Sequence, residues 1–126
     1  MKTAEETLEK PGTDQSEKTV MAFINALNDE DFKAAREQLA DRMKFDGVMG
    51  SRESAEAYIG DMKHMKFKYK VKKVFADGDD VCLFYDIDMG DATIFTCGWY
   101  QVEDGKIASL KVVFDPRPLL EKKDKK

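Results

Sequence analysis

The sequence predicts an α+β fold, and three observations carry that prediction. Apolar residues recur at three and four positions through the first half, the period changes to two from Phe67 onward, and the last quarter reads as a hairpin. The hairpin strands are Ala92 to Glu103 and Lys106 to Asp115, joined by Asp104-Gly105 and closed by Pro116-Arg-Pro118. Asp-Gly is the pair favoured by a two-residue turn with positive φ at both centres, so the pairing register is well specified. A helical half followed by a strand half is the order expected of an α+β domain.

Residues 1–15 carry Glu5, Glu6, Glu9, Lys10, Pro11 and Gly12 with almost no apolar content, and are expected to form a flexible lead. Helix one is predicted from Ser16, a good N-cap, with Val20, Phe23, Ile24 and Leu27 on one face. Asn28-Asp29-Glu30-Asp31 breaks the pattern and caps a second helix in which Phe32, Ala35 and Leu39 recur before it ends at Ala40-Asp41. Met43 to Gly47 reads as a brief strand, and Ser51 as the N-cap of a third helix bearing Ala55, Tyr58, Ile59 and Met62.

Phe67, Tyr69 and Val71 then alternate with Lys66, Lys68, Lys70 and Lys72, so one strand face is apolar and the other cationic. A lysine row of this kind could grip an anion, but it better suits a solvated face that resists edge pairing. Lys72-Lys73 interrupts the alternation and predicts a β-bulge. After a turn at Ala76 to Asp80, the strand Val81 to Met89 sets Val81, Leu83, Tyr85 and Ile87 on one face and Cys82, Phe84, Asp86 and Asp88 on the other. Gly90-Asp91 turns the chain into the closing hairpin, giving a meander of four long strands plus the short one. The tail, residues 121–126, is a charge run that reads as a solvated end.

At 126 residues the chain spans one domain, 16–120, with a core that needs no disulfide or metal. A formal charge of -4 argues against a nucleic-acid partner. The start lacks a secretory apolar region and no run is long enough for a membrane span, so the expected location is cytoplasmic, with no membrane partner. Cys82 and Cys97 lack metal-ligand spacing and read as small buried hydrophobes. No cofactor motif is present, and none is expected.

The order and spacing of Val20 to Asp31, Phe45-Asp46-Gly47 with Gly50-Ser51, and Asp104 to Pro116 resemble the nuclear transport factor 2-like superfamily, which includes ketosteroid isomerases and SnoaL-like polyketide cyclases. The resemblance spans about residues 16 to 120. It implies a cone: a curved antiparallel sheet wrapped around the three N-terminal helices, with an apolar ligand pocket at the open end. Bulged strands are what such curvature requires.

The resemblance also implies chemistry, residue by residue. Ketosteroid isomerases use a strand-borne aspartate as base, and Asp46 matches that place; a carboxylate there would serve within apolar walls. The same enzymes hold the developing oxyanion with a tyrosine on helix one and a protonated aspartic acid on the penultimate strand. Phe23 occupies the first position and Gly98, or Cys97 under a bulge, the second, so steroid isomerase activity itself is not expected. His64, Asp86 and Cys97 are the remaining candidate polar partners. Asp115 and Arg117 form either a surface ion pair or a contact for a ligand anion at the rim.

The leading expectation is a pocket for a small hydrophobic molecule, with Asp46 as its polar anchor, lined by Phe23, Leu27, Phe45, Tyr58, Met62, Tyr69, Tyr100 and Phe114. The alternative is an enzyme of isomerase, cyclase or hydrolase type acting on a small lipophilic substrate, with Asp46 as general base. A third reading is a non-catalytic interaction module. Trp99 and Tyr100 face opposite ways, and an outward Trp99 would suit a homodimer through the outer sheet face, where members of this superfamily commonly dimerise.

Overall fold

A computed structural model describes residues 12–124. Helix α1 (Thr13–Asn28) and the short α2 (Phe32–Glu37) precede β1 (Leu39–Asp46), the two-residue β2 (Ser51–Arg52) and α3 (Ala55–Met65). The meander β3 (Lys68–Asp77), β4 (Asp80–Asp88), β5 (Thr93–Glu103) and β6 (Lys106–Phe114) follows, and α4 (Arg117–Asp124) closes the chain. One six-stranded sheet has the order β2-β1-β6-β5-β4-β3. Its curvature encloses the helices on one face, giving the expected cone of an α+β fold.

The sheet is mixed, because β1 runs parallel to β6 while every other pair is antiparallel. Between these two strands lie β2, α3, β3, β4 and β5, so the pairing is non-local and leaves no turn signature in the sequence. A register shift between Leu39 and Lys44 also breaks the alternation of β1. Leu39 and Met43 are both buried, four residues apart, which imitates a helix and explains why the second helix was expected to run past Glu37. Shifts between Val71 and Lys73, where the bulge was expected, and between Gln101 and Val102 bend the long strands.

Helix α1 starts earlier than Ser16. Gly12 at φ 87° opens it, and the buried Thr13 hydroxyl accepts the Gly78 N–H at 2.8 Å. Ser16 is buried within the first turn, so residues 13–15 belong to the fold rather than to a flexible lead, while residues 1–11 lie outside the described residues. The stripe Val20, Phe23, Ile24 and Leu27 packs on the concave sheet face. Of the run Asn28 to Asp31 expected to cap α2, Asp31 does so, its side chain accepting the Ala34 N–H at 3.1 Å. Helix α3 is capped by Ser54, which accepts the Ala57 N–H at 3.1 Å; Ser51 pairs in β2 instead. The two positive φ values of the closing turn, 52° at Asp104 and 77° at Gly105, match the expected turn. Part of the tail is helical, since α4 runs to Asp124, and residues 125–126 lie outside the described residues. Among the described residues no helix is long and apolar enough to cross a membrane.

Candidate functional site

The open end of the cone holds a cavity of about 300 Å³ between α3, the sheet and the β1–β2 loop. That volume is at the small end of ligand pockets. Helix α3 supplies Tyr58, Asp61, Met62 and Met65, whose spacing of three and four puts them on one stripe. Phe67 just precedes β3 and Tyr69 lies near its start, Tyr85 and Ile87 come from β4 and Met89 from just after it, and Val112 and Phe114 from β6. Phe45 is the penultimate residue of β1, and the loop Gly47 to Gly50 borders the cavity, closed by the Gly47 N–H donating to the Gly50 carbonyl at 2.8 Å. Arg52 and Leu119 complete the rim.

Tyrosine supplies the side-chain hydroxyls of this cavity. All four tyrosines of the chain are buried, and Tyr58, Tyr69 and Tyr85 line the cavity directly. The Tyr85 and Tyr100 hydroxyls share a hydrogen bond of 2.8 Å, and the Tyr69 hydroxyl donates to the Met62 sulfur at 3.5 Å. Ring contacts fix their positions: Tyr69 meets Tyr85 edge-on at 5.1 Å, and Tyr58 lies 4.8 Å from Phe45. Burial pushes all four phenols above their ordinary range, because a phenolate there would lose its water. They stay protonated and can donate. The charged pair of the cavity is Arg52 with Asp61, 2.8 Å apart and partly exposed at the mouth.

The expected site residues separate into three groups. Phe45, Tyr58, Met62, Tyr69 and Phe114 line the cavity together. Phe23, Leu27 and Tyr100 are buried in the core beneath it and do not line it; α1 sits too deep in the cone for its stripe to reach the opening. The polar candidates lie elsewhere. Asp46 is exposed at the end of β1, because alternation turns it away from the inward Phe45. His64 is exposed in the last turn of α3. Asp86 lies on the outer sheet face, 3.5 Å from the Lys72 ammonium.

Cys97 lies in a shallow outer groove with Phe95, Val113 and Pro118, and both cysteines are only half buried, which corrects the reading of them as core residues. Partial burial still raises both thiols above their ordinary range. Asp115 and Arg117 pair with each other at 2.6 Å in the open. Tyr85 is the functional candidate that residue-by-residue reading missed. The signal was present: its strand face, Val81, Leu83, Tyr85 and Ile87, bears no charge, whereas the opposite face bears Asp86 and Asp88. An uncharged face belongs inside.

Three comparisons bear on this geometry. A family model described as the SnoaL-like domain matches residues 20–110. The epoxide hydrolase EphG of Mycobacterium tuberculosis is 29% identical over 109 residues, covering 76% of this chain and 70% of that protein. Among solved structures, an NTF2-like protein of unknown function from Cytophaga hutchinsonii superposes with a TM-score of 0.82 at 51% identity, over 83% of this chain and 94% of the other. An LEH-like epoxide hydrolase structure from M. tuberculosis gives 0.77 at 25% identity, over 88% and 90%.

Proposed function

The chain belongs to the SnoaL-like family of the nuclear transport factor 2-like superfamily, and from that premise we propose that its cone-end cavity binds a small hydrophobic molecule. The observation that supports this most is the lining itself, a wall of Phe45, Phe67, Met62, Met89, Ile87 and Phe114 around a void of about 300 Å³. An apolar void that is open to solvent at one end loses free energy when an apolar guest displaces its water. Titration with the neutral fluorophore N-phenylnaphthylamine tests the reading. Saturable enhancement is expected, and Met89→Trp, which puts bulk at the half-buried mouth, is expected to abolish it. An unchanged titration in that variant sinks the proposal.

An enzymatic reading, hydrolysis of a small lipophilic epoxide, draws its support from the likeness to EphG. Opening an epoxide with water needs a proton donor for the leaving oxygen and a base for the water. The buried tyrosines can donate, and Asp61 is the carboxylate among the lining residues. Diol formation from styrene oxide tests this reading, with Asp61→Asn expected to abolish turnover. Asp46→Asn in the same assay decides the role expected of Asp46; its exposed position predicts no effect.

The outer sheet face supports a second copy of this chain as partner. Phe75, Phe95 and Val113 are 55%, 59% and 62% exposed, and Phe84 bridges the two phenylalanines at ring distances of 6.1 and 6.0 Å. Lys73 over Phe75, and Asp80 holding the Trp99 indole N–H at 2.9 Å, put both signs of charge on the rim of one face. A patch carrying both signs can pair with itself about a two-fold axis.

A further inference from the structure

The resemblance puts Phe23 in the place of one oxyanion donor and Gly98, or Cys97 under a bulge, in the place of the other. At Gly98 the structure holds something else. A Cβ built on Gly98 would lie 2.5 Å from the Tyr85 hydroxyl, so the glycine vacates the very space in which that hydroxyl sits. Gly98, on β5, is the Cα partner of Leu83 on β4, and the phenol reaches over it from β4. Where a side chain from β5 would have stood, a donor arrives from the neighbouring strand.

The Tyr85–Tyr100 bond leaves one proton over. Two hydroxyls carry two protons, and their single 2.8 Å contact uses one of them. Tyr100 is buried and does not line the cavity, whereas Tyr85 does. With Tyr100 donating to the Tyr85 oxygen, the Tyr85 proton is left for an acceptor in the cavity that Tyr85 lines; a donor aligned behind it polarises that O–H further. The Tyr69 ring at 5.1 Å and the bare backbone at Gly98 hold the phenol on two sides, so little order is lost when a guest accepts its proton. A carboxylate at this floor would be stripped of water with no cation beside it. Among the described lining residues the cation is Arg52, at the mouth and already 2.8 Å from Asp61.

We infer that Tyr85, positioned by Tyr100 and by the absent side chain of Gly98, is the recognition group for an uncharged hydrogen-bond-accepting oxygen, as in a ketone, ether or epoxide, on an otherwise apolar ligand. The inference rests on the cavity's being a ligand site, and its test separates the two.

Cyclohexanone and methylenecyclohexane have the same shape and differ in the acceptor. Each is used to displace N-phenylnaphthylamine from the wild type and from Tyr85→Phe. Taking the ratio of the two affinities in each protein cancels the difference in how water solvates the competitors. That ratio is expected to fall about five- to tenfold against the ketone in Tyr85→Phe. Gly98→Ala, which pushes the hydroxyl out of place, is expected to give the same loss, and Tyr100→Phe a smaller one. Cyclohexanecarboxylate is expected to compete at least about tenfold more weakly than cyclohexanone at neutral pH. An unchanged ratio in Tyr85→Phe overturns the inference, and so does a carboxylate that competes as well as the ketone. If the fluorophore itself fails to bind the wild type, the ligand-site reading falls and takes this one with it.

Discussion

Asn28, the last residue of α1, hydrogen-bonds both backbone groups of Tyr69. Its Oδ1 accepts the Tyr69 N–H at 2.7 Å and its Nδ2 donates to the Tyr69 carbonyl at 2.8 Å. The amide thus stands in for a further strand beside the edge strand β3, and it fixes a residue of the cavity wall to the helix behind it. Asn28→Ala removes both bonds and is expected to destabilise the fold by about 1–3 kcal/mol. Urea unfolding with an unchanged m-value would measure it. A loss below a few tenths of a kcal/mol would mean that water replaces the amide at no cost.

Gly98→Ala is expected to cost about 1–3 kcal/mol, because its methyl group overlaps the Tyr85 hydroxyl and neither strand can retreat. Tyr85→Phe in the same chain removes the overlapped oxygen. The double mutant is therefore expected to be more stable than the sum of the single changes predicts, with a coupling of about 0.5 kcal/mol or more. Strict additivity would show that the clash is relieved elsewhere.

Buried phenols make the fold sensitive to alkali. Burial raises the pKa of Tyr58, Tyr69, Tyr85 and Tyr100 in the folded chain, so above the unfolded phenol value, about 10, the unfolded chain gives up protons that the folded chain keeps. Fewer protons on the unfolded state means that stability falls with rising pH, by up to about 1.4 kcal/mol per pH unit for each tyrosine. The stabilisation is complete below pH of about 10 and is lost above it. Absorbance of phenolate is expected to rise in one step together with the loss of circular dichroism. A gradual rise in a chain that remains folded would contradict the buried cluster.

The outer face gives a prediction about mass. Phe95→Lys is expected to shift sedimentation from a concentration-dependent dimer to a monomer, because the substitution buries an ammonium at the centre of an apolar contact. Ligand binding in the cone is expected to persist, since Phe95 lies on the opposite sheet face. A wild-type chain that sediments as a monomer at all concentrations would refute self-association.

Local signals in the sequence were reliable where the structure is local. The Asp104-Gly105 turn, the bulge at Lys72-Lys73, a cap for α2 within Asn28 to Asp31 and the opposite facing of Trp99 and Tyr100 each depend on a few neighbouring residues, and each stands as expected. What was not legible is held by distant pairing. The parallel contact of β1 with β6 has no sequence signature, and the irregular burial of Leu39 and Met43 pointed to a helix. Ser51 and Ser54 are equally good caps by type, and the choice between them is made by the pairing of Ser51 with Asp46. Five of the eight expected cavity residues lie at the opening because strand alternation and helix spacing were right, and the other three are deeper because depth along a cone axis is not encoded in periodicity.

Strand β5 faces two ways along its whole length. Ile94, Thr96, Gly98, Tyr100 and Val102 turn inward, while Phe95, Cys97 and Trp99 turn out. Substitutions at alternate positions therefore reach separate properties, ligand choice on one side and self-association on the other, and descendants of this chain can vary one while conserving the other. Loss or gain of a single residue has no such freedom. It would exchange the two faces from that point on, driving Trp99 toward the space kept open by Gly98, so length is the trait of this strand that inheritance can least alter.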